Sequence, residues 1–107
     1  MAAATILVVD DEQNILTSVS RALGLEGYEV EVAGSGEIAL EKVGKQAFDA
    51  ILLDVQLPGI DGLGVLDELR ARQVSTPVIM MSGHGTIELA MEAIRRGADD
   101  FIEKPIG

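Results

Sequence analysis

The chain has 107 residues, enough for one domain with little room for a second. Hydrophobic residues make up 48% but aromatics only 3%, so any core must be aliphatic. Eighteen acidic against eight basic residues leave a net charge of −10, which argues against a nucleic-acid or anionic-membrane surface. The lack of cysteine excludes disulfides and thiolate metal sites and is compatible with a reducing cytoplasm.

The amino terminus, Met1 to Val9, has no basic region and runs straight into Asp10 and Asp11, so it does not read as a signal peptide. No apolar run approaches the roughly 18 residues of a membrane span. Thr5 to Val9 reads as a first strand. Ile15, Leu16, Val19, Ala22 and Leu23 recur at helical spacing, with Gly24 and Gly27 marking the helix end. Tyr28 to Ala33 alternates apolar and acidic residues, which predicts a less buried strand at a sheet edge. Ala39, Leu40 and Val43 predict a short helix ending near Gly44. Phe48 and Ile51 to Leu53 lead into Asp54, after which Pro58, Gly59 and Gly62 break the chain into a loop.

A third helix is expected around Leu63, Leu66 and Leu69, and Pro77 introduces an apolar strand, Val78 to Met81, that stops at Ser82-Gly83. Ile87, Ala90, Met91 and Ile94 predict an amphipathic fourth helix stopped by Gly97, and Phe101-Ile102 a last strand ending at Lys104-Pro105. Strands that are continuous apolar runs, alternating with helices, predict a parallel sheet covered on both faces. The count is five strands to four helices, so the pattern expects a fifth helix after Gly107, without which part of one sheet face would be bare.

Every strand but the second ends on a polar residue with reach: Asp10-Asp11, Asp54, Ser82 and Lys104. A parallel sheet puts those ends on one edge, where open α/β sheets place ligand chemistry. Three carboxylates brought together repel, and Mg²⁺ with oxygen ligands is the natural compensation. Lys104 supplies a positive charge and Ser82 a hydroxyl to a bound anion, which makes a phosphoryl-transfer site with Asp54 the best-placed nucleophile. Taken singly, each residue has a plainer role. Asp10 or Asp11 could cap the first helix and Ser82 the fourth, Lys104 could be an ordinary surface lysine, and His84 a solvated loop residue. Only the joint arrangement favours the chemical reading.

Leu7-Val8-Val9-Asp10-Asp11-Glu12, Asp54-Val55-Gln56-Leu57-Pro58-Gly59-Ile60-Asp61-Gly62, Met81-Ser82-Gly83-His84 and Lys104-Pro105 resemble the signature set of response-regulator receiver domains. The resemblance implies a flavodoxin-like, doubly wound five-stranded sheet of order 2-1-3-4-5. It implies that Asp54 is the phosphoacceptor for a sensor histidine kinase. Asp11 and Asp54 would bind Mg²⁺ with the Gln56 carbonyl, Asp10 would act through a water, and Ser82 and Lys104 would hold phosphoryl oxygens. Lys104-Pro105 would be a cis peptide, and Phe101 either a switch aromatic coupled to Ser82 or a plain core residue. On this reading residues 1–107 are one receiver domain, cut short before the fifth helix, in a cytoplasmic two-component switch rather than a turnover enzyme. Its partners would be the kinase, its own effector domain and, compatibly, a second copy, with no direct nucleic-acid or membrane contact. The stretch from Ser82 to Pro105 most resembles receivers of enhancer-binding, NtrC-type transcription activators.

Three other readings compete. Gly34-Ser35-Gly36-Glu37-Ile38-Ala39 satisfies a G-x-G-x-x-A dinucleotide fingerprint, with Asp54 placed as a ribose-binding acid, but this leaves Asp10, Asp11, Ser82 and Lys104 without a task. A small aspartyl-phosphate hydrolase would need a second acid two residues after its nucleophile, where Gln56 stands. An unphosphorylated interaction module is disfavoured because the acid, hydroxyl and lysine set is complete.

Overall fold

The computed structural model describes residues 3–104. Strands β1 (Thr5–Val9), β2 (Glu29–Ala33), β3 (Ala50–Asp54), β4 (Val78–Ser82) and β5 (Asp100–Glu103) alternate with helices α1 (Gln13–Leu25), α2 (Gly36–Lys45), α3 (Gly62–Ala71) and α4 (Ile87–Arg95). The strands form one parallel sheet of order β2-β1-β3-β4-β5.

Because side chains alternate across a strand, each central strand feeds two cores. Leu7, Val9, Ile51, Leu53, Val78 and Met80 pack with Val65, Leu66 and Leu69 of α3, Ala39 of α2 and Ala93 of α4. Ile6, Val8, Leu52 and Met81 pack on the other face with Leu16 and Val19 of α1. Burial on both faces is why these strands read as unbroken apolar runs. On the second face α1 is the only covering helix among the described residues, and Ile79 and Ile102 stay partly exposed there. As its alternating sequence predicts, β2 is an edge strand; Lys42 of α2 donates to its Val32 carbonyl at 2.7 Å and pairs with Glu31.

Helices α1, α2 and α4 end within two residues of the glycines expected to stop them, though not every such glycine makes the turn. Gly24 and Gly44 lie inside α1 and α2. It is Gly27 (φ 94°), Gln73 (φ 63°) and Gly97 (φ 112°) that reverse the chain after α1, α3 and α4. At each of the three, the left-handed residue and its successor donate back into the last helical turn. Helix α4 forms where predicted, but its side chains are turned otherwise than the periodicity suggests. Ala93 faces the core, whereas Ile87 (77% exposed), Met91 (60%) and Ile94 (48%) face solvent.

Candidate functional site

The sheet order sets β3 between β1 and β4, so the carboxyl ends of these strands deliver their side chains to one edge. Asp10 follows β1, its N–H still in the ladder to Ala33, and is completely buried. Asp54 ends β3, also buried. The next residue, Val55, binds across to Met81, and its carbonyl accepts from Gly62 N–H, which closes the β3–α3 loop. That closure needs glycine: a Cβ on Gly62 would lie 2.0 Å from the Asp54 carbonyl oxygen. Lys104 follows β5, its N–H bound to the Ser82 carbonyl, and its side chain enters the edge almost buried.

Lys104 Nζ lies 2.7 Å from Asp10 Oδ2 and 3.2 Å from Asp54 Oδ2. The first contact is an ion pair rather than a well-directed hydrogen bond, and Asp10 Oδ2 has no other compensation. The remaining oxygens accept backbone N–H groups: Asp10 Oδ1 from Glu12 at 2.9 Å, Asp54 Oδ1 from Gln56 at 3.3 Å. Asp11 is exposed beside them, and Asp10, Asp11 and Asp54 each offer one oxygen within 4.8 Å of the others. Three carboxylates thus face one ammonium.

Burial, and next the Asp10 charge, push the Asp54 carboxyl above the usual carboxylate range; Lys104 and the Gln56 N–H offset this only in part. For Lys104, burial is the largest influence and pulls the ammonium down. The close contacts and charges of Asp10 and Asp54 together outweigh it and leave the pKa raised. A cleft of about 220 Å³ opens over these groups, lined by Asp11, Glu12, Asp54, Gln56, Gly83, His84 and Lys104. The larger hollow on the outer side of α4, beside Ala90, Met91, Ile94 and Arg95, has no converging polar groups and so no comparable chemistry.

Ser82 is buried at the end of β4, with its Oγ accepting from His84 N–H at 3.1 Å. Phe101 packs partly buried against the α3-side core and lies so close to the β4–α4 loop that a Cβ on Gly85 would be 2.9 Å from its ring. None of the acids or Ser82 caps a helix. The caps are Ser35 for α2, Asp61 for α3 and Thr86 for α4, and Glu12 begins α1 without a side-chain bond. The cis peptide expected at Lys104-Pro105 lies outside the described residues.

Sequence reasoning missed Glu12 and gave His84 to solvent, though both line the cleft. It also missed Glu37, whose Oε2 accepts from Ile60 N–H and lies against Gly59, a left-handed residue (φ 73°) in the β3–α3 loop. The glycines of the dinucleotide-like stretch have other uses. Gly36 lets α2 approach Ile60 and Val65 at distances no Cβ permits, while Gly34 fronts open space and Asp54 pairs with Lys104. Neither the dinucleotide nor the hydrolase reading is supported.

A β-α sheet of order 2-1-3-4-5 with acids, a hydroxyl and a lysine at its carboxyl edge defines a receiver-type α/β domain. The model of the response regulator receiver domain matches residues 6–107, and the chain belongs to that family. Over 105 residues it is 45% identical to the nitrogen assimilation regulatory protein NtrX of Azorhizobium caulinodans, covering 96% of this chain and 23% of that protein. Over 100 residues it is 40% identical to the regulatory protein AtoC of Escherichia coli, covering 94% and 22%. The crystal structure of the receiver domain of NtrX from Brucella abortus superposes with a TM-score of 0.89 at 47% identity, covering 95% of this chain and 87% of that one. These are receivers of NtrC-type regulators, and the chain spans under a quarter of the length of these two curated relatives. Among the described residues no helix is long and apolar enough to cross a membrane.

Proposed function

We propose that Asp54 accepts a phosphoryl group from the phosphohistidine of a sensor histidine kinase, and that the chain acts as a cytoplasmic signalling switch. The observation that carries this reading is the Lys104 ammonium held between Asp10 and Asp54 with Asp11 alongside. In the transfer, a carboxylate oxygen of Asp54 attacks phosphorus. The new O–P bond forms as the P–N bond breaks, and the imidazole nitrogen keeps the electron pair. Lys104 carries the charge gathering on the phosphoryl oxygens, and Ser82, whose Oγ accepts from His84 N–H, donates its hydroxyl proton to one of them.

The donor set suits a hard divalent cation: three carboxylates face one ammonium, and burial already disfavours the charge on Asp54. Asp11, Asp54 and the Gln56 carbonyl would hold Mg²⁺, with Asp10 at one water's remove. When bound, the ion neutralises charge on the carboxylate and the phosphoryl oxygens. Phe101, packed against Gly85, is the proposed aromatic reporter of the Ser82 movement. The 107-residue span is read as one receiver domain, with its own effector domain and a second copy of the chain as the proposed readers. It is an acceptor rather than a turnover catalyst, since Gln56 offers no acid for a leaving group.

The test is rapid intact-mass measurement with acetyl phosphate and Mg²⁺. The wild type gains one phosphoryl mass and Asp54→Asn gains none; equal labelling of Asp54→Asn would remove Asp54 as the acceptor.

A further inference from the structure

The β3–α3 loop, Gln56 to Asp61, follows directly on Asp54 and carries the Gln56 carbonyl assigned above to the cation. Its ends are pinned: Val55 N–H binds the Met81 carbonyl, and Gly62 N–H binds the Val55 carbonyl. Leu57 is buried in the core, while Gln56, Pro58 and Gly59 are exposed. Among the described residues, a single hydrogen bond reaches residues 56–61 from another element. Its acceptor is Glu37 of α2, whose Oε2 lies 3.2 Å from the Ile60 nitrogen.

The backbone around this contact is shaped to it. Gly59 has φ 73°, and a Cβ there would lie 2.7 Å from Glu37 Oε2, so the carboxylate lies against the turn. Gly36 lets the start of α2 approach Ile60, since a Cβ on it would stand 2.8 Å from the Ile60 carbonyl oxygen. Gly64 of α3 likewise admits Ile60 Cγ1, which lies 2.9 Å from where a Cβ would be. Ile60 is thus in contact with the starts of both helices. Glu37 needs no such bond to serve α2, because an exposed acid in the first turn already suits the helix dipole. Its reach to a residue 23 positions away is what that role leaves unexplained.

We propose that Glu37 is a positioning residue for the phosphoryl site, fixing the β3–α3 loop so that the Gln56 carbonyl is held ready for a divalent cation. The inference rests on the proposed cation and phosphoacceptor reading, and adds to it a residue outside the donor set. With both loop ends pinned, the Ile60 bond sets the path of the chain between them. Releasing that bond lets Gln56 to Gly59 sample other paths, and cation binding must then offset the entropy of ordering them. The coupling is reciprocal: an occupied cation site holds the Glu37–Ile60 bond closed for more of the time.

Two variants separate positioning from charge. Glu37→Ala and Glu37→Gln remove the same negative charge, but only the amide keeps an oxygen with the reach to accept from Ile60 N–H. The readout is Mg²⁺ titration of the whole unphosphorylated chain, followed by the NMR amide shifts of Asp11, Asp54 and Gln56. The dissociation constant should be about fivefold weaker in Glu37→Ala, the size of one net hydrogen bond, and within about twofold of wild type in Glu37→Gln. Without metal, exchange of the Ile60 amide should accelerate about fivefold in Glu37→Ala, and added Mg²⁺ should slow it in the wild type but not in this variant. Equal weakening in both variants would assign the effect to charge alone and overturn the proposal, as would wild-type affinity in Glu37→Ala. If the wild type shows no Mg²⁺-dependent shift at Asp11 or Asp54, the cation reading fails instead. Metal-free exchange then still decides whether Glu37 fixes the loop, and an unchanged Ile60 rate in Glu37→Ala would show that it does not.

Discussion

Two charged clusters in this molecule are built on opposite principles. In the Arg70–Arg96 knot, two guanidinium groups face Asp67, Asp99 and three backbone carbonyls, so nearly every donor has an acceptor. Its charges stabilise one another: the Arg96 bond holds the Asp67 carboxyl below the usual range, and Asp67 raises Arg96. At the carboxyl edge of the sheet a single ammonium serves three carboxylates, one oxygen of Asp10 has no directed bond, and Asp54 is pushed up by burial. Satisfied polar clusters fasten a fold, whereas an under-compensated one is poised for an added cation and an anion.

The contrast can be broken most severely at Gly62. A methyl group there collides with the Asp54 carbonyl and must displace the acid or the start of α3. Gly62→Ala should therefore destabilise by about 3 kcal/mol in urea unfolding and abolish phosphoryl uptake. Arg70→Ala attacks the other cluster. It strands the Gly97, Val74 and Thr76 carbonyls and should cost about 2 kcal/mol, with phosphoryl uptake retained, as equilibrium unfolding and intact mass together will show.

Asp54→Asn should separate function from stability in the opposite sense. A carboxyl whose folded pKa is raised binds its proton more tightly in the folded state. Its ionisation therefore weakens folding progressively as pH rises from the ordinary 3.8 through the raised value. The amide removes that penalty, so without divalent ions the variant should be more stable than wild type at pH 7, by on the order of 1 kcal/mol. It should also lose the decline in stability on the alkaline side of pH 3.8, as thermal melts across pH would show. Lys104 acts with the other sign: its raised pKa contributes stability that is complete below 10.5 and lost as pH climbs past it. The smallest effect is expected at Gln73, the one described non-glycine residue with positive φ. Gln73→Gly keeps the helix-ending bonds and should stabilise by up to about 1 kcal/mol, read as a higher melting temperature.

Much of the molecule was legible in the order of its residues. Apolar runs such as Leu7 to Val9 and Ile51 to Leu53 can bury both faces only in a covered parallel sheet, and the alternating β2 belongs at an edge. Asp10, Asp54, Ser82 and Lys104 were recognisable because each stands where a strand ends, and strand ends share an edge. Helix ends were less legible, since Gly24 and Gly44 have the composition of stops yet lie inside helices, while Gln73 ends one. A stop depends on which residue meets the left-handed position, and that depends on where the next strand must begin.

Tertiary structure alone decided the rest. It turned Ala93 of α4 inward and Ile87 and Met91 outward, a choice that periodicity leaves open because an apolar stripe does not say which side of it is covered. It brought Arg70 and Asp67 of α3 to Gly97 and Arg96, residues about 30 positions apart with no mark of partnership in the sequence. And it balanced one lysine against three acids: residue types state which charges exist, but only the packing of strand ends sets how near they lie and how little water screens them.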